Sequence, residues 1–124
     1  MTYSKNGIAQ DPVQANLSLG KHNLFEIKAD KQPIGKYADV QKNFTKHSLS
    51  LSENDEIYIF TDGFPDQFGG SEGKKYKYKP FKQFLLTLSQ KSASEQYKNM
   101  SQEFEIWKGD LEQIDDVCII GVRL

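Results

Sequence analysis

Two segments in the second half of the chain are apolar on both faces. In IYIFT, residues 57–61, Ile57 and Ile59 alternate with Tyr58 and Phe60, so each face of a strand would carry apolar side chains. In VCIIGV, residues 117–122, the pattern is the same. A strand of this kind belongs in the interior of a sheet, covered on both sides. We therefore predict two interior strands.

Between these strands the apolar spacing changes to three and four residues, which predicts two helices. The first begins near Pro80, since proline suits a first helical position. The second opens on the capping box SASE, residues 92–95, and ends near Gly109. The predicted apolar faces of the two helices are Phe81, Phe84, Leu85 and Leu88, and Tyr97, Met100, Phe104, Trp107 and Leu111.

The first half of the chain has weaker patterns. Residues 1–16 show no periodicity and are predicted to form a disordered or extended arm, so the domain is placed at 17–124. Residues 15–30 predict two short strands around a turn at 20–23, and residues 44–51 alternate weakly, as in a strand. Residues 66–80 hold three glycines and four lysines and predict an exposed loop.

Composition narrows the class of protein. The 124 residues are 37% hydrophobic and 27% charged, which is typical of one globular domain. The net charge of −1 provides no strong electrostatic attraction for nucleic acid. No apolar run approaches the ~20 residues that span a bilayer, and no secretion signal is evident. With a single cysteine there is no internal disulfide. We expect a cytoplasmic protein that binds neither nucleic acid nor membrane.

Carboxylates adjoin both predicted interior strands. Asp62 follows the end of the first strand, and Asp115 and Asp116 precede the start of the second. If these strands are antiparallel neighbours, the three acids converge at one edge of the sheet. Carboxylates that lie close together repel unless a proton or cation lies between them, and Mg²⁺ and Mn²⁺ prefer such oxygen ligands. Gly63 would let the backbone turn away sharply and leave this edge open.

A plainer interpretation is open for both acidic motifs. Asp62-Gly63 is a common turn pair, and Asp115-Asp116 could simply connect a helix to a strand. The lysines of 66–80 alternate with two tyrosines, a pattern that also occurs in proteins that bind single-stranded nucleic acid. With the net charge near zero, a solvated loop is the preferred interpretation.

Four segments in order resemble the SpoIIE-like branch of the PP2C family of metal-dependent serine/threonine phosphatases. They are KADKQPIG (28–35), LSENDEIYIFTDGFPDQFGG (51–70), GKKYKYKPFKQFLLTLS (73–89) and WKGDLEQIDDVCIIGVRL (107–124). The resemblance implies an α+β fold, a sandwich of two antiparallel sheets flanked by helices. It also implies two Mn²⁺ or Mg²⁺ ions that activate a water for attack on phosphoserine or phosphothreonine in a bacterial signalling protein.

Within that resemblance Asp62 and Asp115 match metal ligands, and Asp116 matches a partial ligand or a residue supporting one. No residue beyond these ligands is implied to be catalytic. The family's upstream ligands, an aspartate within a strand and an Asp-x-x-Gly-His-Gly-like motif, have no counterpart in the sequence. We therefore interpret the chain as the C-terminal half of a phosphatase domain. It would act on a phosphoprotein substrate and form a homodimer or pair with a missing N-terminal half. The alternative is an inactive half-domain that serves as an interaction or dimerisation module.

Overall fold

The computed structural model describes residues 2–6, 17–32 and 43–124. Strands and helices there alternate in one mixed domain. The strands are β1 (Thr2–Asn6), β2 (Leu17–Leu19), β3 (His22–Glu26), β4 (Glu56–Phe60), β5 (Phe68–Gly69), β6 (Lys74–Lys75) and β7 (Ile119–Arg123). The helices are α1 (Gly63–Asp66), α2 (Tyr78–Leu88) and α3 (Ala93–Lys108).

Five of the strands form one antiparallel sheet in the order β2-β3-β1-β4-β7. The two predicted interior strands, β4 and β7, are antiparallel neighbours, with Ile57 opposite Val122 and Phe60 opposite Ile119. This antiparallel pairing brings the two acidic motifs to the same edge of the sheet, as the sequence analysis required. Strands β5 and β6 form a separate hairpin within the predicted exposed loop.

The N-terminal part departs from the sequence-based expectation. Thr2–Asn6 lie within the predicted arm 1–16, yet they pair with β3 on one side and β4 on the other. The sequence of these residues is mostly polar and does not alternate, so the strand is recognised only from its backbone pairing. Residues 7–16 and the predicted loop around Pro33 and Gly35 lie outside the described residues. The hairpin β2–β3 is confirmed, whereas residues 44–51 form no strand.

One face of the sheet is covered by the helices. Residues opposite each other across the strands share a face, which places Leu24, Tyr58 and Phe60 on the helix side. Helix α2 contributes Phe81, Leu85 and Leu86 to this core, and the predicted apolar face of α2 is confirmed. Of the predicted apolar face of α3, only Phe104 is buried; Met100 and Trp107 are partly buried and Tyr97 is exposed.

The opposite face is open toward the β7 edge, which corrects the prediction of two strands covered on both sides. Phe25 is buried on this face, but Ile59, Ile120 and Val122 are 54%, 53% and 48% exposed. These three side chains lie opposite or diagonal to one another across β4 and β7. The apolar pattern therefore correctly marks a face that suits a covering layer, but the described residues do not supply that layer.

A buried polar network connects the covered face to α3. The Tyr58 hydroxyl donates a hydrogen bond to Gln96 Oε1 at 2.8 Å, and Gln96 Nε2 donates to Glu56 Oε1 at 2.8 Å. The guanidinium of Arg123 lies 3.2 Å from Glu56 Oε2. Burial is the main reason that the pKa of Tyr58 lies far above its usual value. Tyr58, Gln96 and Glu56 thus satisfy one another where α3 covers this face of the sheet.

The helix ends follow the predicted signals. Ser92 and Glu95 form the capping box at the start of α3, with the two side chains each accepting a hydrogen bond from the backbone NH of the other residue. Gly109 ends α3 with a φ of 54°, which favours glycine. Helix α2 begins at Tyr78, two residues before the predicted Pro80. Among the described residues no helix is long and apolar enough to cross a membrane.

Candidate functional site

The candidate site lies where β4 ends. Asp62 lies two residues after the end of β4 and is the N-cap residue of α1, but its carboxylate does not cap that helix. Asp62 is exposed, whereas the next three residues are buried: Gly63, Phe64 and Pro65. The chain thus presents a carboxylate to solvent from a backbone that is fixed immediately after it.

Phe64 fixes that backbone. Its ring packs against the rings of Tyr76, Phe81 and Phe104, with centroid distances of 5.0, 4.9 and 5.2 Å. These rings come from the segment after the β5–β6 hairpin and from both long helices. Aromatic contacts of this kind stabilise a core beyond the area they bury. This side chain anchors the four-residue helix α1, which no apolar periodicity predicted, in the core.

The second acidic segment meets the first at Gly63. A Cβ added at Gly63 would overlap the backbone carbonyl of Asp116, so only glycine allows this approach. The reason for glycine here is therefore close packing against the Asp115-Asp116 segment; Gly63 lies in α1 and has no positive φ, so the sharp turn that we predicted is not what requires it. Asp62 is joined directly to a residue that touches Asp116.

Thr61 holds the two segments together. Its hydroxyl donates to the Asp116 carbonyl oxygen at 2.8 Å and accepts from the Cys118 backbone NH at 3.0 Å. Its own backbone NH donates to the Cys118 carbonyl oxygen at 3.0 Å. Sequence analysis missed this role, although a threonine at the end of an apolar strand, immediately before the acid, was a usable signal.

All three predicted metal ligands are exposed at this edge. Asp115 Oδ1 accepts a hydrogen bond from the Asp116 backbone NH at 2.7 Å, which orders the segment. In the ranges that the structure describes, no three histidine, cysteine or carboxylate side chains form a group able to hold a metal ion. The type of donor fits Mg²⁺ or Mn²⁺, but the number of converging donors is smaller than a complete site needs.

Two further side chains lie close to this edge. Burial, followed by the nearby carboxylates of Asp66 and Asp62, raises the pKa of Tyr78. Asp66 forms an ion pair with Lys75 at 3.3 Å, which connects α1 to the β5–β6 hairpin. The start of α2 therefore faces the acidic edge, and Tyr78 was missed because the sequence placed it in the exposed loop.

The lysines of 66–80 lie in two places, on the β5–β6 hairpin and at the start of α2. Lys74 and Lys75 of the hairpin form ion pairs with Glu72 and Asp66, respectively. Lys77 has a φ of 76° immediately before α2, where its NH donates to the Pro65 carbonyl oxygen at 2.7 Å. This hydrogen bond ties the start of α2 to α1. The lysines are exposed, as predicted for a solvated loop.

Comparisons with known proteins agree with this arrangement. The family model of stage II sporulation protein E (SpoIIE) matches residues 9–124. The solved SiaA-PP2C domain of Pseudomonas aeruginosa is similar in structure, with a TM-score of 0.63 and 25% sequence identity. That similarity covers 67% of this chain and 34% of the other, so the chain spans about a third of the solved one. No curated protein matches the sequence.

The α+β, PP2C-like fold and the family resemblance are thus confirmed. The sheet, the helices after the Asp62 strand and the acidic segment before the last strand occur in the order that the resemblance implied. The chain belongs to the SpoIIE family of PP2C-type phosphatases.

Proposed function

We propose that the chain is the C-terminal part of a phosphatase domain that hydrolyses phosphoserine or phosphothreonine in a signalling protein with the help of Mn²⁺ or Mg²⁺. The observation that supports this most is the contact between Gly63 and Asp116. It brings together two acidic segments that are 53 residues apart in the chain. The pairing of β4 with β7 places the two segments side by side, and Gly63 allows their backbones to touch.

Asp62 and Asp115 would contribute carboxylate ligands, and Asp116 would contribute a partial ligand or support one. Bound divalent ions would supply an activated water and would neutralise charge on the phosphate. The chain's own residues fix the ligands: Phe64 anchors the backbone after Asp62, and Thr61 holds Asp116 in place. The remaining ligands would come from a second chain or from another part of the phosphatase domain.

The exposed lysines near the site suit a phosphoprotein substrate. Lys77 and Lys79 flank Tyr78, the residue at the start of α2 that interacts electrostatically with Asp62. Positive side chains there would attract the phosphate group, because charge-assisted hydrogen bonds to phosphate are stronger than neutral ones.

Hydrolysis of p-nitrophenyl phosphate tests this proposal. We expect turnover that requires Mn²⁺ and that falls to background in Asp62→Asn and Asp115→Asn. Glu53→Gln is the matched control, because Glu53 is equally exposed but lies before β4, at the opposite end of the strand. Each variant is checked for folding by circular dichroism.

Two results would contradict the proposal. One is turnover that persists unchanged in both aspartate variants. The other is a folded chain that neither turns over the substrate nor binds Mn²⁺, which would favour the second candidate function.

The second candidate is an interaction module, and the open face of the sheet favours it. Ile59, Ile120 and Val122 are half exposed and adjacent, in a protein whose other sheet face is well covered. Contiguous apolar surface of this kind marks an interface more often than isolated apolar residues do. The occupant would be a second copy or the remaining part of the domain.

A further inference from the structure

We infer that Gln67 is a positioning residue that holds the acidic segment before β7 against the helix that follows Asp62. This inference rests on the proposed function, since it explains how Asp115 is placed relative to Asp62. Gln67 is fully buried and comes directly after α1. Its Nε2 donates to the Glu112 carbonyl oxygen at 2.9 Å and to the Phe68 carbonyl oxygen at 3.0 Å.

These two hydrogen bonds define how the amide is oriented. Both partners are carbonyl oxygens, so only the NH₂ group can face them. The side-chain oxygen, Gln67 Oε1, is buried and has no hydrogen-bond partner within the described part of the chain. A buried acceptor without a partner is unfavourable, and an apolar side chain of similar size would avoid it. The amide is thus suited to donating to the two carbonyls rather than to filling space.

The backbone of Gln67 is fixed independently of its side chain. Its carbonyl oxygen accepts hydrogen bonds from the Trp107 indole Nε1 and from the Tyr76 backbone NH, both at 3.0 Å. Trp107 also packs against Gly69 and Gly70, and its carbonyl oxygen accepts from the Gly70 NH at 2.9 Å. The donor amide is therefore held by the end of α3 and by the β5–β6 hairpin, so it provides a rigid anchor.

The acidic segment has a second anchor at its other end. Gln67 holds Glu112, and Thr61 holds Asp116 through its hydroxyl at 2.8 Å. Asp115 lies in the three exposed residues between these two points. Both anchors belong to the stretch TDGFPDQ that also carries Asp62. The seven residues 61–67 thus carry Asp62 and also hold both ends of the segment that carries Asp115 and Asp116.

The test uses two variants of the chain, Gln67→Met and Gln67→Asn. Methionine has a similar length without the amide, and asparagine keeps the amide but is one methylene too short to reach Glu112. Gln102→Met is the matched control, because Gln102 lies on the exposed side of α3. Backbone ¹⁵N order parameters report on mobility without requiring activity or metal, and calorimetric titration reports the affinity for Mn²⁺.

We expect the order parameters of residues 112–115 to fall from about 0.85 toward 0.6 in both Gln67 variants, while those of β4 and β7 stay unchanged. Affinity for Mn²⁺ should fall roughly fivefold, as for the loss of one buried hydrogen bond. The Gln102→Met variant should match the unsubstituted chain in both measurements.

The outcomes separate this inference from the proposed function. If residues 112–115 loosen but the unsubstituted chain binds no Mn²⁺, Gln67 positions the segment and the metal proposal fails. If residues 112–115 stay rigid in a folded Gln67→Met or Gln67→Asn chain, the inference is overturned. Failure of both variants to fold would also overturn it, since Gln67 would then serve the core rather than the acidic segment.

Discussion

The two faces of the five-stranded sheet differ sharply in how complete they are. On the helix side, Tyr58 is buried and its hydroxyl, Gln96 and Glu56 form a continuous hydrogen-bonded network. On the other side, Ile59 and Ile120 leave about half of their surface in solvent. The same two strands carry both faces. The comparison indicates that the described residues complete the helix layer and leave the opposite face of the sheet open.

The site lies at the boundary between these two regions. Its backbone is fixed from the complete side, because Phe64 packs among rings of the helix core. Its carboxylates face solvent at the sheet edge, and the described residues supply too few of them for a metal ion. A single missing layer would therefore account for both the open apolar face and the incomplete ligand set.

The largest expected effect that tests this comparison is on stability. Leu85 is fully buried under the sheet, and we expect Leu85→Ala to lower the free energy of unfolding by about 2–5 kcal/mol. Ile59→Ala removes a side chain of the same size from the open face and should cost less than about 1 kcal/mol. Urea unfolding of both variants measures the difference. Equal costs would show that the open face is already buried in solution.

A smaller effect concerns association through the open face. A charge placed there should oppose any apolar contact, so we expect Ile59→Lys to weaken self-association by at least roughly tenfold. Ile106→Lys is the matched control, because Ile106 is 68% exposed on α3, away from the sheet. Sedimentation velocity over a range of concentrations measures the change. Association that is equally strong in both variants would exclude the open face as the interface.

Much of this architecture could be predicted from the sequence because it depends on local patterns. The capping box of α3, the apolar face of α2 and the pairing of β4 with β7 all follow from spacing that the sequence displays. The adjacency of the two acidic segments followed from that pairing. Each of these features needs only the period of the apolar residues and the chemistry of helix ends.

The remaining features depend on contacts between distant segments. An apolar pattern shows that Ile59 suits burial, but it does not show which chain provides the covering layer. Gln67 lies in the segment that the sequence predicted as a loop. Its hydrogen-bond partners Glu112 and Trp107 are 45 and 40 residues away in the chain, so no local pattern shows its role. Helix α1 has four residues, too few to show a period, and depends on Phe64 for its place.

The most direct test of the account is a calorimetric titration of the chain with Mn²⁺. We predict binding that weakens by at least roughly tenfold in both Asp62→Asn and Asp115→Asn, with thermal unfolding little changed because both side chains are exposed. Glu53→Gln should bind as the unsubstituted chain does. An isotherm that is the same in both folded aspartate variants as in the unsubstituted chain would contradict the claim that this sheet edge is a metal site.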